Sequence, residues 1–473
     1  MQPTHHRQIR SYVPYLIAVV GAILVRAWPE LKIGPVPVGN DASTSYVTAI
    51  TTYHTGLVAS LKSFNLLYYL FSLTQYLHTD PLLTIKVFGV GLYVAYLTSF
   101  YFLFRDSFRL RPLFALFGTI LFGLQLATLR LSWDLYRNEL GLTFAFICLW
   151  QLVLLLRDRR WWRIVPIVLA AGLTYGTHQL ASFSLVLVVI SGGLITLINH
   201  WWGKQVTFIG VLLMGIIWLF LAPHIHIGSL ELWTQMAPST ANVLLPLNLA
   251  WLIFFPALAL LAVVGICTTW YPALLASFLL LGLNSFSSVI FRTQGFFLWD
   301  RWMYLFAIPL TIYALLGILW LGTGWIRPVR WIIYLVAAGL LLYPATQFYL
   351  PKKTLYTSSV NSAVFSLFPA SMMTNSFVAN LYERDLSLNL ESCMSVFNQK
   401  YTNTTPILVD PRYQIIATYF APRIAGHTTT NMSDIPPRTA YYYLTYVVTP
   451  QEHLTAAPGY PAGCPVYQGI SPS

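Results

Sequence analysis

Charge is what this sequence has least of. Only 9% of its 473 residues are Asp, Glu, Lys or Arg, while 57% are hydrophobic. Soluble domains carry roughly 25% charged residues. The composition therefore excludes a soluble globular protein and a disordered chain. With 4 cysteines, the chain is not a disulfide scaffold either. It has no Gly-rich phosphate loop, dinucleotide fingerprint, zinc-protease helix or nucleophile elbow. Nor does a basic tract with interleaved aromatics mark a nucleic-acid site, so no nucleic acid is expected as a partner. What remains is a polytopic membrane protein whose spans are α-helices, because hydrocarbon offers no partner to open backbone groups.

Apolar runs of spanning or near-spanning length occupy 12–28, 82–104, 112–129, 139–156, 164–175, 180–198, 206–222, 246–267, 270–285, 303–322 and 330–349, which predicts about eleven transmembrane helices. The net charge is +12, of which residues 1–350 supply +11. Starting the chain in the cytoplasm, on account of HHRQIR, gives that side twelve basic residues and two acids, Asp106 and Asp158. The opposite side then has eight basic residues and seven acids. This asymmetry fits the preference of basic loops for the cytoplasm, and the odd span number puts the tail outside. No small-residue cleavage site follows the first run, so it is expected to stay as an anchor.

Two domains are expected: a transmembrane domain, 1–350, and a small extracytoplasmic α/β domain, 351–473. In the tail, DLSLNLESCMSVFNQKY has helical spacing, while TPILVDP, YQIIATYF and TAYYYLTYVVT read as strands. Cys393 and Cys464 can pair if the tail lies outside. Cys148 and Cys267 lie in apolar helices as small hydrophobes. Sequons occur at Asn403 and Asn431.

Residues 29–81 form a long loop between the first two runs. Two amphipathic stretches in it, 43–60 and 62–78, predict helices lying at the membrane interface, with Phe64, Leu67, Tyr68, Phe71 and Gln75 on one face. Loops of this length in a compact protein are usually functional.

Acids beside a bilayer are costly and tend to be kept for use. Seven fall on the outer side: Glu30, Asp41, Asp80, Asp134, Glu139, Glu231 and Asp300. Asp41 lies in GNDAST and Asp134 in SWDLYRNE, two loops that can meet on one face. A carboxylate can serve as base for an attacking hydroxyl, and guanidinium groups such as Arg137 and Arg301 can hold a leaving phosphate. Each has a plainer reading. Asp41 can cap the helix that follows. Asp134, Arg137 and Glu139 can form a local ion-pair cluster. Arg301 can pair with Asp300. His178 and Gln179 are either a buried hydrogen-bonded pair or a substrate contact. His224 and His226, at i and i+2, are a weak metal signal alone.

This order of features resembles the GT-C superfamily of membrane glycosyltransferases: one helix, an outer loop with an early Asp in GNDAS, interfacial helices, a second outer loop DLYRNE, a late Arg-led helix DRWMYLFAIPL and an outer soluble domain. The resemblance implies Asp41 as the catalytic residue, Arg137 and Arg301 as donor-phosphate contacts, and Asp134 or Glu139 as acceptor or metal ligands. It implies a polyprenyl-phosphate-linked sugar as donor, among membrane lipids, with a glycan, lipid or protein acceptor. Some members use a divalent cation such as Mg or Mn. Here DLYRNE lacks the paired acids of the metal-using members, and metal use stays open. The alternative is a transporter or flippase of a lipid-linked or polar substrate, which would carry ionisable residues in span centres.

Overall fold

The structure, a computed structural model, describes residues 4–32, 34–37, 42–227, 230–231, 233–235, 241–292, 294–296, 299–323, 327–349, 384–401, 405–409, 414–424, 426–444, 455–457, 460, 464 and 466–471. Asp41 and Asn403 lie outside them, as does all of 351–383.

The chain opens with α1 (Thr4–Lys32), then a five-residue π-helix (Ala42–Tyr46) continuous with α2 (Val47–Thr52). Two more short helices, α3 (Leu57–Lys62) and α4 (Leu66–Thr74), complete the first loop. The expected helix over 43–60 thus breaks at 53–56, where Tyr53 turns extended and the chain reaches Gly56. Leu67 and Phe71 are buried, as their shared face predicts.

The long helices follow: α5 (Pro81–Ser107), α6 (Pro112–Gly123), α7 (Leu126–Asp134), α8 (Tyr136–Asp158), α9 (Ile164–Thr177) and α10 (Gln179–Leu221). Their starts are legible. Asp80 caps α5, accepting from the Leu82 amide at 2.8 Å, with Pro81 at the first helical position. Gln125 caps α7 through the Ala127 and Thr128 amides. The expected outer loop SWDLYRNE is instead a helix junction, for α7 runs to Asp134 and α8 begins at Tyr136. Glu139 accordingly sits in the first turn of α8, fully buried, rather than in a loop.

Helix α10 turns back on itself. Gly203 has φ 75°, the left-handed region that a side chain would oppose. Ile195 and Ile198 then lie against Gly210, which a straight helix would hold roughly 20 Å away. The single run is a hairpin of two arms.

After it come β1 (His226–Ile227), β2 (Leu230–Glu231) and β3 (Trp233–Gln235), then α11 (Ala241–Thr268), α12 (Pro272–Ser285), α13 (Ser287–Phe291), β4 (Gln294–Phe296), α14 (Trp299–Thr323) and α15 (Arg327–Tyr349). Gly265 of α11 and Gly317 of α14 meet backbone to backbone, the small-residue contact that lets apolar helices pack without a hydrophobic driving force. Among the described residues five helices are long and apolar enough to cross a membrane, or six if the bent pair α6–α7 counts as one span. Many outward side chains on them are large and apolar, including Leu24, Val87 and Leu156. The chain is a multi-pass helical membrane protein.

The tail carries α16 (Arg384–Lys400), β5 (Ile407–Val409), α17 (Gln414–Phe420), β6 (Thr428–Thr429), β7 (Ala440–Leu444), β8 (Thr455–Ala456) and β9 (Val466–Ile470). Its five strands order β6-β5-β7-β9-β8, with β5 parallel to β6 and β7, and β9 antiparallel to β7 and β8. YQIIATYF, expected as a strand, is the helix α17. Ala417 and Ala421, one helical turn apart, are both buried, so packing selected the 3.6-residue period over β propensity. Cys393 on α16 and Cys464 before β9 form a disulfide. Cys148 is buried and Cys267 exposed.

Candidate functional site

Three guanidinium- and imidazole-bearing segments converge where α8, α10 and α14 begin. His178 is the residue between α9 and α10, buried and in extended conformation. Beside α8, the His178 and Ala181 side chains face Gly141. Arg137 on α8 and Arg301 on α14 both act electrostatically on the His178 imidazole. Burial first, then these two cations, push its pKa well below the usual value, which keeps the ring neutral. Its Nδ1 is buried with no hydrogen-bond partner. Gln179, the first residue of α10, is half-buried beside it.

Arg137 also ties down the first loop. Its Nη2 donates to the Phe64 carbonyl at 2.7 Å, and its guanidinium lies 5.2 Å from the Tyr68 ring centre. Phe64 has φ 59°, a left-handed conformation that a non-glycine residue holds only under constraint. The Arg137 bond and the packing of the Phe64 ring on Tyr175, 4.7 Å apart, provide that constraint. Arg137 is held by the loop, through the Phe64 carbonyl, and no ion pair joins it to Glu139. Its Nε remains buried without a partner.

The second assembly was not anticipated from sequence. Arg26, near the end of α1, is fully buried, pairs with Glu30 at 2.7 Å and donates to the Tyr136 hydroxyl at 2.8 Å. Glu139 lies within electrostatic reach of Arg26, and neither of its buried carboxylate oxygens has a hydrogen-bond partner. Lys86 of α5 donates to the Glu30 carbonyl at 3.0 Å and to the Gly34 carbonyl. The signal that could have found this cluster is the spacing of Arg26 and Glu30, an i, i+4 pair of opposite charge at the end of an apolar run.

The first loop meets this cluster through aromatic rings. Tyr46 stacks on Tyr136, centroids 5.1 Å apart, and Ala42, Leu67 and Phe71 share its buried cluster. The π-helix begins at Ala42, the residue after Asp41. From the tail, Tyr419 donates to Asp80 Oδ1 at 2.8 Å, and Tyr419 and Phe420 pack on the same cluster. Burial, then this bond, raises the Tyr419 pKa above the usual phenol value.

Asp134 ends α7, but its side chain, like those of Asp300, Glu231 and His226, lies outside the described residues. Among the described residues no three His, Cys, Asp or Glu side chains gather as a metal site. Glu139, enclosed beside Arg26, does not fit a cation ligand: the guanidinium already supplies the positive charge there. No family model matches the chain, and no curated protein matches it.

Proposed function

We propose that this chain is an integral membrane glycosyltransferase of the GT-C kind, with about eleven spans, its N-terminus cytoplasmic and its C-terminal α/β domain extracytoplasmic. It takes a sugar from a polyprenyl phosphate and gives it to a glycan, lipid or protein acceptor. The observation that carries this reading is the neutral, buried His178 within reach of two cations, Arg137 and Arg301, from two different helices. A headgroup phosphate is the chemistry that two guanidinium groups suit.

In this reading Asp41 takes the acceptor proton. The acceptor atom bonds to the anomeric carbon as the bond from that carbon to phosphate oxygen breaks. The prenyl phosphate leaves with the electron pair, held by Arg137 and Arg301. His178 and Gln179 border the same headgroup. Burial of Glu139 favours Asp134 over Glu139 as the acid that meets the acceptor. No step is routed through a metal ion. The transporter alternative is less well supported: of the buried ionisable residues, Arg26, Glu30 and Glu139 sit toward helix ends, and Arg130 lies midway along the short α7.

The test uses the purified protein in nanodiscs with a panel of radiolabelled polyprenyl-phosphate sugars, and release of prenyl phosphate is measured. Asp41→Asn should lower turnover by about 10²–10⁴. A folded Asp41→Asn protein that turns over at the parent rate refutes the assignment.

A further inference from the structure

Arg26 sits where α1, α5 and the α7–α8 junction meet. Its Nε donates to the Ser132 carbonyl at 3.0 Å, two residues before Asp134. Nη2 donates to the Tyr136 hydroxyl at 2.8 Å. The Tyr136 ring stacks on Tyr46 with an interplanar angle of 14°, and Tyr46 closes the π-helix that follows Asp41 directly. Gly89 of α5 leaves the space for this crossing. A Cβ at that position would lie 2.8 Å from Tyr136 Cζ and 2.9 Å from Arg26 Nη2. Glu30 pairs with the buried guanidinium at 2.7 Å.

We propose that Arg26 is a positioning residue that sets segment 42–46, which follows Asp41 in the chain, and segment 130–136 relative to each other, through Tyr136–Tyr46 on one side and Ser132 on the other. A planar guanidinium suits this role, because its donors diverge in fixed directions toward two acceptors, whereas an ammonium group is a point charge on a flexible stem. Its consequence for catalysis rests on the transferase reading; the coupling of the two segments does not.

Hydrogen exchange on the full chain in nanodiscs separates the two. Tyr136→Phe keeps the ring stack and removes one bond. It should raise amide exchange in 42–46 and 130–136 by about fivefold or more while the other helices keep their parent rates. Gly89→Ala should do the same. Arg26→Lys, which keeps the charge facing Glu30, should loosen one segment more than the other. With a polyprenyl-phosphate sugar as probe, Tyr136→Phe should lower kcat by about tenfold with little change in KM, as expected for a displaced reacting group. Unchanged exchange in both segments, or an equal rise along every span, would overturn the proposal. Localised exchange changes in a parent protein that transfers no sugar would uphold the positioning role and defeat the transferase reading instead.

Discussion

At one end of the helix bundle Arg26 reaches Glu30, Ser132 and Tyr136 across helix boundaries, wholly buried. At the other end, Arg105 pairs with Asp106 and Arg157 with Asp158, each its immediate neighbour in the chain. Gly89, where Arg26 crosses α5, and Arg105 are roughly 24 Å apart along that helix, at 1.5 Å per residue. Both ends are charged, but the first joins its segments through wholly buried groups, whereas at the second Asp106 accepts from Trp150 of α8 at 2.7 Å and Asp158 pairs with Arg163 among partly exposed side chains. Buried charge persists only when its partners are fixed, so it specifies geometry. Exposed adjacent pairs add little and are screened. The contrast says where this protein keeps its precision: at the end carrying the first loop, His178 and Arg301.

Breaking the buried end should have the largest effect. Arg26→Met removes the guanidinium that pairs with buried Glu30 and should cost about 3–5 kcal/mol, read from denaturant unfolding in detergent. The tail offers a covalent control. Its disulfide closes a separation of 71 residues. Cys393→Ser should cost about 2–5 kcal/mol, confined to melting of the 384–471 unit. A loss shared equally by the bundle would show that the two regions are not independent.

A smaller effect concerns pH. His178 has a folded pKa well below its unfolded value, so the unfolded chain binds the extra proton first. Stability is full above the unfolded pKa of about 6.5 and falls as pH drops below it. His178→Gln should flatten the melting midpoint over that acid window. The smallest effect belongs to the opposite end. Asp158→Asn should lower the melting midpoint only slightly, since Asp158 and its neighbour Arg157 are partly exposed. A clear drop would erase the contrast between the ends.

Much of the architecture was legible because apolar length is a strong signal. Each predicted apolar run lies within or overlaps one of the helices, including the short 164–175 run, which is α9. The hairpin at Gly203 was legible too, as two runs separated by WWGK. Strand and helix in the tail were harder to separate: YQIIATYF has the β-branched content of a strand, and only the burial of Ala417 and Ala421 reveals the helix. At the site, counting spans and loops assigned Arg137, His178 and Arg301 to the same outer side but fixed no contact among them. The Arg26 cluster did not, because Arg26 reads as one cation within an apolar run. Its importance comes from Gly89 and Tyr136, distant in sequence, and single-sequence periodicity carries no such pairing.

The transferase proposal is tested most directly by photolabelling. A polyprenyl phosphate bearing a diazirine in its first isoprene unit is irradiated with the protein in nanodiscs, and labelled peptides are mapped by mass spectrometry. The account predicts label in peptides containing Arg137, His178 and Arg301, displaced by unlabelled prenyl phosphate and lost in Arg301→Gln. Label confined to the Arg105 and Arg157 end, or undisplaced by competitor, would contradict it.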